Sequence, residues 1–130
     1  MDKKKAIEYW LKSSEHDWQV IKHLFENKDY SYALFFGHLT IEKILKAIYV
    51  DRCGTVPPFT HSLNFLAEKS SLKLTVEQSK LLETITDFNI EARYPEDKFI
   101  FWKRCTKEYT KKNLSKIEEI KEWLLNQIQS

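Results

Sequence analysis

From about Lys3 to Phe25, apolar positions recur as Ala6, Tyr9, Trp10, Val20, Ile21 and Leu24. This spacing predicts an amphipathic helix whose stripe is interrupted by polar residues from Ser13 to Asp17, and Asn27-Lys28-Asp29 reads as its end. A second helix is expected from about Ser31 to Arg52, with Leu34, Ile41, Ile44, Leu45 and Ile48 inward, Ser31 as N-cap and Gly54 as stop. Gly54-Thr55-Val56-Pro57-Pro58-Phe59 can be neither helix interior nor central strand, so it predicts a stiff loop across one end of a bundle. Thr60 can cap a short third helix carrying Leu63, Leu66 and Ala67. Thr75 and Gln78 have capping-box spacing and open a fourth, with Leu81, Leu82, Ile85 and Phe88 inward. That helix stops at Ala92-Arg93-Tyr94-Pro95, because proline lacks the N–H of a continuing helix and biases Tyr94 toward extended geometry. Phe99, Phe101 and Trp102 then lead into a long last helix carrying Tyr109, Leu114, Ile117, Ile120, Trp123, Leu124 and Ile128.

The pattern predicts an all-α fold: an up-and-down antiparallel bundle of four long helices with one additional short helix. Composition agrees, since only two Gly and three Pro interrupt 130 residues, a length suited to a single domain spanning the chain, residues 1–130. With 21 basic and 19 acidic residues the net charge is +2, so any anion site must be local rather than a property of the whole surface. Cys53 and Cys105 are distant and without companions, and neither a signal peptide nor a membrane-spanning run is evident, so a cytoplasmic location is expected. A Gly-rich phosphate loop, a Cys/His cluster at metal spacing and a serine elbow are all missing from the sequence. No metal or cofactor is expected.

Chemistry concentrates in a few places. His38, Glu42, Lys46 and Tyr49 follow spacings of four, four and three on the second helix, with Lys43 beside them. This stripe reads either as a solvated face with an ordinary Glu42–Lys46 pair or as one wall of a cleft. His61, after two prolines and a threonine, can donate to a phosphate or carboxylate, or serve as a structural residue. Arg93 can hold a phosphate bidentately while Tyr94 offers a stacking face; alternatively Arg93 pins the bend by pairing with Glu91, Glu96 or Asp97. Lys103, Lys107 and Lys111 align at spacings of four within a basic stretch ending at Lys116, either a nucleic-acid contact or a wet face.

Three segments taken together resemble the HEPN family, nucleotide-binding domains named for higher eukaryotes and prokaryotes. They are Ile41-Glu42-Lys43-Ile44-Leu45-Lys46-Ala47, Pro58-Phe59-Thr60-His61-Ser62-Leu63 and Ala92-Arg93-Tyr94-Pro95. The resemblance implies a bundle of four or five helices, commonly a homodimer, often encoded beside a small nucleotidyltransferase and sometimes part of a toxin–antitoxin pair. It assigns Lys43, Lys46, His61, Arg93 and Tyr94 to binding of a nucleotide or RNA, with no catalytic residue. Many HEPN proteins are instead metal-independent ribonucleases in which four to six residues separate an arginine, here matched by Arg93, from a following histidine. Here Lys98, Phe99 and Ile100 stand at those positions, and none can shuttle a proton as imidazole does near neutrality. The expectation is therefore a non-catalytic binding subunit. A ribonuclease and a structural dimer or adaptor are the alternatives.

Overall fold

The computed structural model describes residues 2–128. Among them the ordered elements are all helices: α1 Lys3–Glu26, α2 Tyr30–Cys53, α3 Leu63–Lys69, α4 Val76–Arg93, α5 Pro95–Arg104 and α6 Lys107–Leu125. α1 and α2 form a hairpin about Asn27-Lys28-Asp29, with Phe25 against Tyr30 beside the turn and Trp10 against Lys46 far from it. Lys28 at φ 63 supplies the reversal.

α2 is the central element and touches all five other helices. Its apolar residues occupy every face, and Leu34, Ile41, Ile44, Leu45 and Ile48 are fully or almost fully buried, as expected of a helix that neighbours enclose. Leu63, Leu66, Leu82, Ile85, Phe88, Phe101, Ile117, Ile120 and Leu124 complete the core from α3 to α6. Gly37 lets α6 come close to α2: a Cβ there would stand 2.7 Å from Ile117 Cδ1.

Local signals place most boundaries. Thr75 and Gln78 make the reciprocal capping box, and Gly54 closes α2 in the left-handed conformation at φ 70. The second helix nevertheless begins before Ser31, which is buried inside it behind an Asp29 cap that makes no side-chain bond. α3 is capped by Ser62, whose hydroxyl accepts from the Phe65 amide, while Thr60 accepts from the Ser62 amide. The aromatic cluster after Pro95 does not run on into the last helix. It forms the separate ten-residue α5, and Thr106 caps a fresh start by accepting from the Tyr109 amide. Two short helices, α3 and α5, thus accompany four longer ones. None of the helices among the described residues is long and apolar enough to cross a membrane.

Candidate functional site

Spacings of four carry His38, Glu42 and Lys46 down one side of α2, but that side is no solvated face: all three are buried. Charge enclosed in this way requires partners, and Glu42 is where they meet. Glu42 Oε2 accepts from Lys46 Nζ at 3.1 Å, and Oε1 stands 2.7 Å from His61 Nδ1. A carboxylate oxygen only accepts, so Nδ1 of His61 carries a proton and donates it to Glu42. The same rule settles His38. Its Nε2 lies 2.9 Å from the His61 carbonyl oxygen and must donate to it, leaving Nδ1 to accept from Asn89 Nδ2 at 3.2 Å. One hydrogen-bonded cluster therefore ties α2, the 54–62 loop and α4 together.

The hairpin contributes a second layer. Lys46 Nζ sits 5.1 Å from the centroid of the Trp10 ring, where the ring's negative face favours a cation. Lys43 Nζ donates to Asp17 at 2.6 Å, and Ser14 Oγ donates to the Thr40 carbonyl at 3.0 Å. The polar interruption in the α1 stripe is thus the complement of the polar side of α2. Lys43 and Lys46 have their charges matched inside the fold.

His61 and Arg93 are presented differently. The His61 ring is partly exposed although its Nδ1 edge is anchored on Glu42. Arg93 is exposed at the end of α4 with its guanidinium 5.6 Å from the Tyr94 ring, and among the described residues it has no carboxylate partner. The structural pairing that the sequence allows for Arg93 does not form: Glu91 turns instead to Arg104, which fastens α5 to α4. Arg93 lies close enough to the cluster for its charge to oppose protonation of His38. Lys46 is buried and joined through Glu42 to the partly exposed His61, while Arg93 stands exposed at the end of α4. Lys43 faces α1.

Sequence reasoning missed three members. Asn89 and Trp10 are readable only once the helices are packed. Phe59 is different, because 96% of it is exposed while it follows two prolines, and its ring centroid is 6.1 Å from that of His61. An apolar ring held out on a stiff loop beside a histidine is a visible signal that the three-segment pattern does not weigh. The basic stretch is broken between Arg104 and Lys107, so Lys103 does not share a helix face with Lys107 and Lys111. A groove of about 660 Å³ lies elsewhere, between α4 and α6, and none of the five expected site residues lines it. No group of His, Cys, Asp or Glu suited to a metal occurs among the described residues.

Burial pushes the His38 pKa below the ordinary 6.5, with the nearby His61 and Arg93 adding to that effect against the His61 carbonyl and Glu42. The unfolded chain then binds a proton more readily than the fold does. Stability from this residue is complete above about pH 6.5 and declines as pH falls toward the folded value. Denaturant midpoints followed from neutrality to about pH 5 should fall more steeply in the wild type than in His38→Gln. Equal slopes would remove His38 as the cause.

A family model described as HEPN domain matches residues 7–128 of the chain. No curated protein and no solved structure matches it.

Proposed function

Because the chain belongs to the HEPN family, we propose that it is a non-catalytic helical subunit that binds a nucleotide or single-stranded RNA at the surface formed by His61, Arg93 and Tyr94. The observation that carries this reading is the division of charge within the cluster. Glu42 neutralises the buried Lys46 and fixes His61, while Arg93 stays exposed without a carboxylate partner among the described residues. A guanidinium in that state is available to a phosphate, and its planar fork suits two phosphate oxygens at once. Tyr94 and Phe59 provide flat faces on which a base can stack. Lys43 and Lys46 act from behind, by holding α2 and contributing positive potential rather than direct contact.

In this reading the whole chain acts as one domain and works beside a small nucleotidyltransferase whose substrate it helps to hold. A homodimer and a toxin–antitoxin setting fit the same proposal. Four long helices running alternately up and down are the arrangement that lets α2 and α4 meet at the 54–62 loop. The subunit would act in the cytoplasm.

Titration of the protein with ATP, GTP and a short RNA by fluorescence anisotropy should give saturable binding that Arg93→Ala weakens by about ten-fold or more, the worth of one charge-assisted pair. No binding, alone or with a nucleotidyltransferase partner present, would remove the proposal. One observation favours a second reading. His61, oriented by a carboxylate at Nδ1 and partly exposed, is held as a general base would be. Metal-independent cleavage of the RNA probe, lost in His61→Ala, would put a ribonuclease in place of the binding subunit.

A further inference from the structure

α4 and α6 both pack on α2 but barely touch each other. The groove of about 660 Å³ lies between them, with buried Ile120 and half-buried Leu81 and Trp123 as its apolar part and Thr84 exposed on one wall. The later turns of α4, from Thr84 to Glu91, share a cavity with Tyr109 near the start of α6, whereas the earlier ones, from Glu77, face Asn113 to Trp123. The two walls therefore run antiparallel.

That direction gives the groove an electrical polarity. α4 carries Glu77 and then Lys80, and α6 carries Lys116 and then Glu119, all four exposed and all lining the groove. On antiparallel walls this order sets both acids toward the Trp123 end and both bases toward the Asn113 end. Opposite charges three residues apart on one helix can pair, yet among the described residues none of these four is in an ion pair. An apolar valley about two helical turns long, with unpaired acids at one end and unpaired bases at the other, matches a particular kind of helix.

We propose that the α4–α6 groove receives one amphipathic helix of a different protein, with apolar residues at i, i+3, i+4 and i+7 on Leu81, Ile120 and Trp123. Its charges must be the converse of the groove's, with acids over Lys80 and Lys116 and bases over Glu77 and Glu119. Helices favour acids in the first turn and bases in the last, so the incoming helix has its N-terminus at the Asn113 end and runs parallel to α6. α5 of a second copy also has acids first and bases last. A contact between groove and α5 is head-to-tail, however, and leaves a groove and an α5 open at the ends of every pair. None of the residues assigned to nucleotide binding lines the groove, and docking there does not depend on that binding.

Two labelled peptides of about 15 residues, a length at which an isolated helix begins to hold, test this by fluorescence anisotropy with the full chain. Both carry leucines at i, i+3, i+4 and i+7; one has glutamates in its first turn and lysines in its last, and the other has them exchanged. The first should bind saturably and about ten-fold or more tighter than the second, with the difference eroding as salt is raised. Reversing all four wall charges, by Glu77→Lys, Lys80→Glu, Lys116→Glu and Glu119→Lys together, should invert the preference. Thr84→Arg, which puts a long side chain into the groove from an exposed position, should abolish binding of both. Circular dichroism and the thermal midpoint control for folding. Failure of either peptide to bind overturns the proposal, as does a preference that the reversed walls leave unchanged or binding that survives Thr84→Arg. Self-association of the chain that Thr84→Arg removes would give the groove to α5 of a second copy and overturn it as well.

Discussion

Replacing Glu42 by alanine should destabilise the fold by about 3–5 kcal/mol, the range for removing one partner from a buried charge pair. The size follows from what is left behind. Lys46 keeps a buried ammonium whose remaining neighbour is the Trp10 ring, a contact worth far less than a carboxylate. His61 loses the acceptor on its Nδ1, and with it the constraint on the 54–62 loop. Urea unfolding with an unchanged slope and a lowered midpoint is the expected record. Adding Lys46→Met to Glu42→Ala should recover part of the loss, since it removes the orphaned charge and conserves volume. A loss below about 1 kcal/mol would mean that water reaches the cluster and that the pair behaves as a surface one. The same variant separates stability from function, because His61 would then be free to turn and affinity for RNA should drop even where the fold is fully populated.

The spacing of His38, Glu42 and Lys46 is plain in the sequence, yet whether that stripe meets water or protein is not decided by the stripe itself. It is decided by the residues around it. Phe35, Phe36, Leu39, Ala47 and Val50 add apolar positions on the remaining faces of α2, and a helix apolar all round is an enclosed one. Phe35 accordingly packs partly buried against the core. Enclosure in turn demands that each polar residue on α2 find a mate, and the mates are scattered: Asp17 and Ser14 on α1, His61 in the loop, Asn89 on α4. Sequence separations of 19 to 51 residues between such mates carry no periodic signal.

Boundaries set by a single turn of chain were legible for the opposite reason. The Thr75–Gln78 box and the left-handed Gly54 need only their immediate neighbours. Thr106 caps as Thr75 does, by accepting from its N3 amide, but Tyr109 stands where the box has Gln78, so the break before α6 is visible only once Thr106 is read as a cap rather than as one more polar helix residue. Arg93 marks the limit of this kind of reading. Three carboxylates lie within four residues of it, and the one that is committed, Glu91, is claimed by Arg104 from thirteen residues away. Arg93 is left without a carboxylate partner among the described residues by a competition that only tertiary structure resolves.

Phe101→Ala should have the other large effect, and it should be local in character. Phe101 is the one fully buried residue of α5 among the described ones, stacked on Phe88 at 5.7 Å between centroids, with the Arg104 guanidinium 5.1 Å from its ring. Truncating such a phenylalanine costs about 3–5 kcal/mol of packing. The ten residues of α5 are too few to stay helical without that anchor, since isolated helices shorter than about 12–15 residues are marginal in water. The helix should therefore leave α4 before α1 and α2 separate. Hydrogen exchange should show α5 amides losing protection while those of α2 keep theirs, and Phe101→Leu should recover most of it. Unchanged exchange in α5 would show that Glu91–Arg104 and the chain on either side suffice to hold it.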